Sequence, residues 1–163
     1  MKKQYILCLV FLLSASQTVS AEDNTAVTIG SHKFSFDVDT SKYAIDTSRE
    51  RIESLDGSKG FSNTVTIIRK QDNEVIAYIG LKEYDSGPEG FTYDGAAAWA
   101  YQQLDNPTVT PRKIDGRDGM ASKDDDIIFA AYQTKDKFVV VIFSALPYDD
   151  SMMLLNTIRV EEV

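Results

Sequence analysis

Residues 127–144 read IIFAAYQTKDKFVVVIFS. Two apolar runs of strand length, Ile127–Gln133 and Phe138–Ser144, are joined by the polar residues Thr134, Lys135, Asp136 and Lys137. That is the layout of an antiparallel hairpin. Val139, Val140, Val141 and Ile142 are continuous and β-branched, which marks a central strand covered on both faces. The fold is therefore expected to be built around an antiparallel sheet, with this hairpin at its centre.

Reading outward, Thr64–Arg69 and Glu74–Glu83 form a second β-rich pair, with turn chemistry at Gln71, Asp72 and Asn73. Val27, Ile29, Phe34, Phe36 and Val38 alternate in the manner of a half-buried strand pair turning near Gly30-Ser31. Tyr43–Ile45 is a short extended piece. Residues 46–62 are charged and punctuated by Gly57 and Gly60, so they read as a mobile connection, with at most one or two helical turns over Arg49–Leu55. Ala96–Leu104 is the best helix. Thr92 or Asp94 can cap it, Asn106-Pro107 stops it, and Ala97, Trp99 or Ala100, Tyr101 and Leu104 recur at helical spacing. Val109–Ile114 is extended, Asp115–Gly119 is a tight turn, Ser151–Leu155 is a second helix and Thr157–Val160 a closing strand. This layout predicts an α+β domain over residues 27–162, an antiparallel sheet with helices packed on it.

The first 21 residues read as an export signal. Lys2 and Lys3 precede an apolar run, Tyr5–Leu13, too short to span a bilayer, and Val19-Ser20-Ala21 has the small-x-small pattern of a cleavage site. The mature chain is expected to begin at Glu22, with residues 22–26 disordered, and to be secreted or extracytoplasmic. Cys8, the only cysteine, lies inside the apolar run rather than after it, which disfavours a lipid anchor. The mature domain then lacks cysteine, which excludes disulfides, thiol catalysis and thiolate metal sites. The chain carries 17 basic and 25 acidic residues. That balance disfavours nucleic acid and anionic lipid surfaces as partners.

Catalytic and metal signals are sparse. His32, the only histidine, falls at a predicted turn and reads as a surface residue. Asp124, Asp125 and Asp126 are the candidate calcium ligands. Adjacent aspartates lack the ligand spacing and sharp glycine turn of a calcium loop, however, and read as a solvated turn. No cofactor is expected. Trp99 and Tyr101 read as the core face of the helix, while Phe91 and Tyr93, in the glycine-rich approach Ser86–Asp94, are the candidate partner-binding residues.

Lys113–Gly119, Ala130-Ala131-Tyr132, Val139–Ile142, Pro147 and Leu154–Val160 follow one another in an order that resembles the PsbP/Mog1-like superfamily. The match is specific over residues 113–160. The resemblance implies an α/β/α sandwich on an antiparallel sheet and a non-catalytic role as an interaction module. The expected function is thus an exported, non-enzymatic module docking on a protein or cell-envelope component. The alternative is a small extracytoplasmic hydrolase or ligand-binding protein that uses carboxylates and the aromatic loop.

Overall fold

The computed structural model describes residues 24–53, 57, 59–85, 93–135 and 138–163. Residues 1–21, read above as an export signal, and Phe91 lie outside them. Ten strands and two helices follow one another: β1 (Asn24–Ile29), β2 (His32–Asp37), β3 (Tyr43–Glu53), β4 (Lys59–Arg69), β5 (Glu74–Tyr84), α1 (Tyr93–Gln103), β6 (Thr108–Ile114), β7 (Arg117–Asp124), β8 (Ile127–Lys135), β9 (Phe138–Ser144), α2 (Tyr148–Thr157) and β10 (Arg159–Glu162). Seven strands form one antiparallel sheet in the order β3-β4-β5-β9-β8-β7-β6, and β1-β2-β10 form a second. The continuous β-branched run is strand β9, fourth of the seven.

The expected α+β sandwich is overturned. The protein is mostly β, with 63% strand and 16% helix, in two sheets of three and seven strands with two helices. The physical reason lies at two places. The charged stretch read as a mobile connection is most of β3, paired residue by residue with β4 from Tyr43↔Arg69 to Glu53↔Lys59. As an edge strand, β3 has charges that blunt further pairing rather than forbid strand structure. The second place is the main core. Phe34, Phe36 and Val38 pack in one cluster with Ile79, Ile142 and Leu154, so the small sheet covers much of a face that helices were expected to cover.

Three smaller expectations are also corrected. Asn24, Thr25 and Ala26, expected to be disordered, form the first half of β1. His32, expected at the surface, is 3% exposed, with its ring 4.8 Å from that of Phe138, edge to face. Tyr101, expected on the core face of α1, is exposed, because the buried stripe runs Ala96, Ala100, Leu104 at intervals of one helical turn.

Turn chemistry sets the registers. Gly30-Ser31 link Ile29 to its partner His32, with Gly30 at φ +60°. Asp115-Gly116 join Ile114 to Arg117 with φ of +53° and +70°, the left-handed pair that a two-residue hairpin requires. Asp125 takes φ +48° in the β7–β8 turn.

Between β2 and β3, Asp39 accepts hydrogen bonds from the Ser41 amide at 3.0 Å and hydroxyl at 2.5 Å, and the Lys42 ammonium lies 2.9 Å away. The Ser41 hydroxyl first, then Lys42, holds the Asp39 carboxyl at about 2. A carboxylate depressed in the folded state adds stability above its unfolded pKa and loses it as pH falls toward the folded value. Ser41→Ala is therefore expected to raise the Asp39 pKa toward the ordinary 3.8. Carbon-detected NMR titration of the carboxyl would show this. An unchanged titration would assign the depression to Lys42 instead.

Candidate functional site

Among the described residues, a groove of about 660 Å³ lies between the β6–β7 edge of the large sheet and helix α2. Its floor follows from strand alternation. Thr108, Lys123 and Ile128 lie in one cross-strand row, Thr110, Ala121 and Ala130 in the next, and Arg112, Gly119 and Tyr132 in a third. Helix α2 forms the other wall with Tyr148, Met152 and Leu155. Asp149 and Asp150 in its first turn complement the positive end of the helix. The helix is fixed from behind. The Ser151 hydroxyl lies 2.7 Å from that of Ser144 and donates to the Leu146 carbonyl at 3.1 Å, and the Tyr43 hydroxyl donates to Asp150 at 3.1 Å.

Two cations line the groove. Lys123 Nζ lies 4.5 Å from the centroid of the Tyr148 ring, a cation–π distance. Arg112 donates from Nη2 to Asn156 Oδ1 on α2 at 2.5 Å, while its buried Nε has no hydrogen-bond partner. The guanidinium is thus anchored on α2 through Nη2, with Nε sealed from solvent, and Nη1 is left as the nitrogen not given to Asn156. The rest of the lining mixes hydroxyls and apolar side chains with the Asn106 amide and the carboxylates of Asp124 and Asp125.

The candidate calcium ligands reach the same place with different work. Asp124 Oδ2 accepts the backbone N–H groups of Asp105 and Asn106 at 3.0 and 3.2 Å, and so ties the end of the α1 segment to β7. Asp125 shapes the turn, and Asp126 follows it. Among the described residues, no three His, Cys, Asp or Glu side chains converge as a metal-binding group. Of the candidate partner-binding residues, Tyr93 is the first residue of α1. Arg112, Lys123 and Tyr148 were missed because they sit in three different elements. The only local sign was a cation in an edge strand, at a position whose alternation points it inward.

No family model matches the chain, and no curated protein or solved structure resembles it significantly. The site's chemistry therefore has to be read from its own residues. Among those described, no helix is long and apolar enough to cross a membrane.

Proposed function

We propose that this protein is an exported, non-enzymatic binding module, and that the β6–α2 groove is where it engages its partner. The recognised feature is an anionic group on a short apolar stem, presented by a protein or another component of the cell envelope. The observation that carries this reading is the pairing of Arg112, anchored on Asn156, and Lys123 above an apolar wall of Met152 and Leu155. Asp124 and Asp125 line the same groove, so it is not a net cationic patch; Asp124 is turned to the Asp105 and Asn106 amides, and Arg112 and Lys123 are the groups a carboxylate would meet.

Calorimetric titration with octanoate tests it. Saturable binding is expected, weakened about tenfold or more by Arg112→Met, since a charge-assisted hydrogen bond contributes roughly 1.5–3 kcal/mol. Octanol, which lacks the charge, should bind more weakly than octanoate. If octanoate gives no saturable heat, or binds Arg112→Met as tightly as the parent, the groove is not the recognition site.

A further inference from the structure

The two cations of the β6–α2 groove stand at its opposite ends. Along the β6–β7 ladder Thr108 faces Lys123, Thr110 faces Ala121 and Arg112 faces Gly119. Lys123 and Arg112 therefore lie on one face of the sheet, in rows four strand residues apart, counted from Thr108 to Arg112. At about 3.3 Å per strand residue, those rows are roughly 13 Å apart. Helix α2 gives the same measure from the other wall. Lys123 lies on the ring of Tyr148, and Arg112 is bonded to Asn156, eight residues further along the helix. Eight helical residues span about 12 Å. Each charged head is held against α2, so the spacing is fixed by the helix rather than by two freely swinging side chains.

Between the ends the groove changes character. Its lining there comes from Ala121, Ile128, Met152 and Leu155. The Thr110 hydroxyl donates to the Ala121 carbonyl at 3.2 Å, so its hydrogen is committed to the ladder. The order along the groove is thus cation, apolar stretch, cation.

Both cations keep their charge uncompensated. Among the described residues, no carboxylate lies within ion-pair distance of either. Asp124 and Asp125 line the Lys123 end, but Asp124 Oδ2 accepts the Asp105 and Asn106 amides. That leaves Asp125, exposed in the β7–β8 turn, as the like charge a ligand's acid meets there. An exposed carboxylate is well screened, so it reduces the attraction of Lys123 without cancelling it.

Resting on the reading of this groove as the recognition site, we propose that its ligand is a linear diacid, with a carboxylate at each end of an apolar chain. One carboxylate pairs with Arg112 beside Asn156. The other pairs with Lys123 beside Tyr148. The chain between them lies along Met152 and Leu155. A monoacid of the same length reaches one cation and places a methyl group at the other. A short diacid has both charges but cannot span the two ends.

Calorimetric titration of the whole protein with matched chains tests this. Decanedioate and decanoate have the same carbon chain and differ in the second acid. Butanedioate has both acids and is too short. Decanedioate is expected to bind about tenfold more tightly than decanoate, and butanedioate at least about tenfold more weakly than decanedioate. Lys123→Met should abolish the advantage of the diacid while leaving decanoate within about twofold of its parent affinity, since decanoate needs only Arg112. Lys123→Arg should keep the advantage. Lys123 is exposed, so both variants should fold as the parent does. Decanedioate binding no tighter than decanoate, or an advantage that survives Lys123→Met, would overturn two-ended recognition. Decanoate binding that still weakens in Arg112→Met would then leave the groove as a one-ended site. No saturable binding of either chain would overturn the groove and the diacid together.

Discussion

Replacing Phe34 with alanine is expected to cost about 3–5 kcal/mol of stability, the usual range for emptying a fully buried phenylalanine site. Phe34 is 0% exposed. It lies in β2, the middle strand of the small sheet, opposite Val27 on one side and Val160 on the other. It also belongs to the same apolar cluster as Val65, Ile79, Ile142 and Leu155, which come from the large sheet and α2. The cavity would therefore open where the two sheets meet, against side chains held by their own ladders and poorly able to collapse into it. Domains of this size have a net stability of about 5–15 kcal/mol, so the loss is a large part of the whole. Urea unfolding followed by Trp99 fluorescence provides the measurement. Trp99 packs against the other cluster, under α1, and reports from the far side of the large sheet. If both sheets share one cooperative core, its transition should move to lower urea with an unchanged slope. A shift of less than about 1 kcal/mol would instead make the small sheet an appendage, well below what a core cavity costs.

The parts of this fold legible in the sequence are those where one local rule acts alone. The β8–β9 hairpin, the β4–β5 hairpin and the β1–β2 turn at Gly30-Ser31 could be read because alternation and turn residues agree there. Strand β3 could not. Asp46, Arg49, Glu50, Arg51 and Glu53 have the composition of a solvated connection, and only pairing with β4 makes them a strand. What stabilises it is non-local: the ladder, and Arg49 lying 4.3 Å from the centre of the Phe61 ring. The same limit applied to fold class. Phe34 and Phe36 were legible as inward-facing residues, but nothing local says whether helix or sheet lies opposite. The site was less legible still. Lys123 looks like any exposed position of an alternating strand, and it becomes unusual only once Tyr148 is seen beside it. Arg112 likewise becomes informative only when α2 brings Asn156 to its guanidinium.

Gly119→Ala is the second substitution expected to have a large effect, about 3 kcal/mol of destabilisation, at the upper end for overpacking a filled core. An added Cβ would stand 2.6 Å from the Ala131 carbonyl oxygen and 2.7 Å from Tyr132 Cβ, both on the neighbouring strand β8. Neither can yield cheaply. The carbonyl belongs to a paired strand, and Tyr132 is completely buried and tethered at its far end, where its hydroxyl donates to Asp115 Oδ2 at 3.3 Å. Asp115 Oδ2 also accepts the Val160 N–H at 3.1 Å, so displacing the tyrosine would disturb the join between the β6–β7 turn and β10. Two other glycines calibrate the result. Gly116 has φ +70° and nothing within 4 Å, so alanine there meets only left-handed strain of roughly 1–2 kcal/mol. Gly80→Ala meets nothing nearer than 3.9 Å and should change stability by less than about 1 kcal/mol, since alanine removes the entropic cost of glycine in a strand. The expected order of loss in denaturant melts is Gly119, then Gly116, then Gly80. A loss at Gly119 no greater than at Gly116 would mean that β7 and β8 can part without penalty. Gly119 also sits in the cross-strand row between Arg112 and Tyr132. A strand pushed off β8 would carry Arg112 with it, so octanoate affinity should fall in Gly119→Ala and hold in Gly80→Ala.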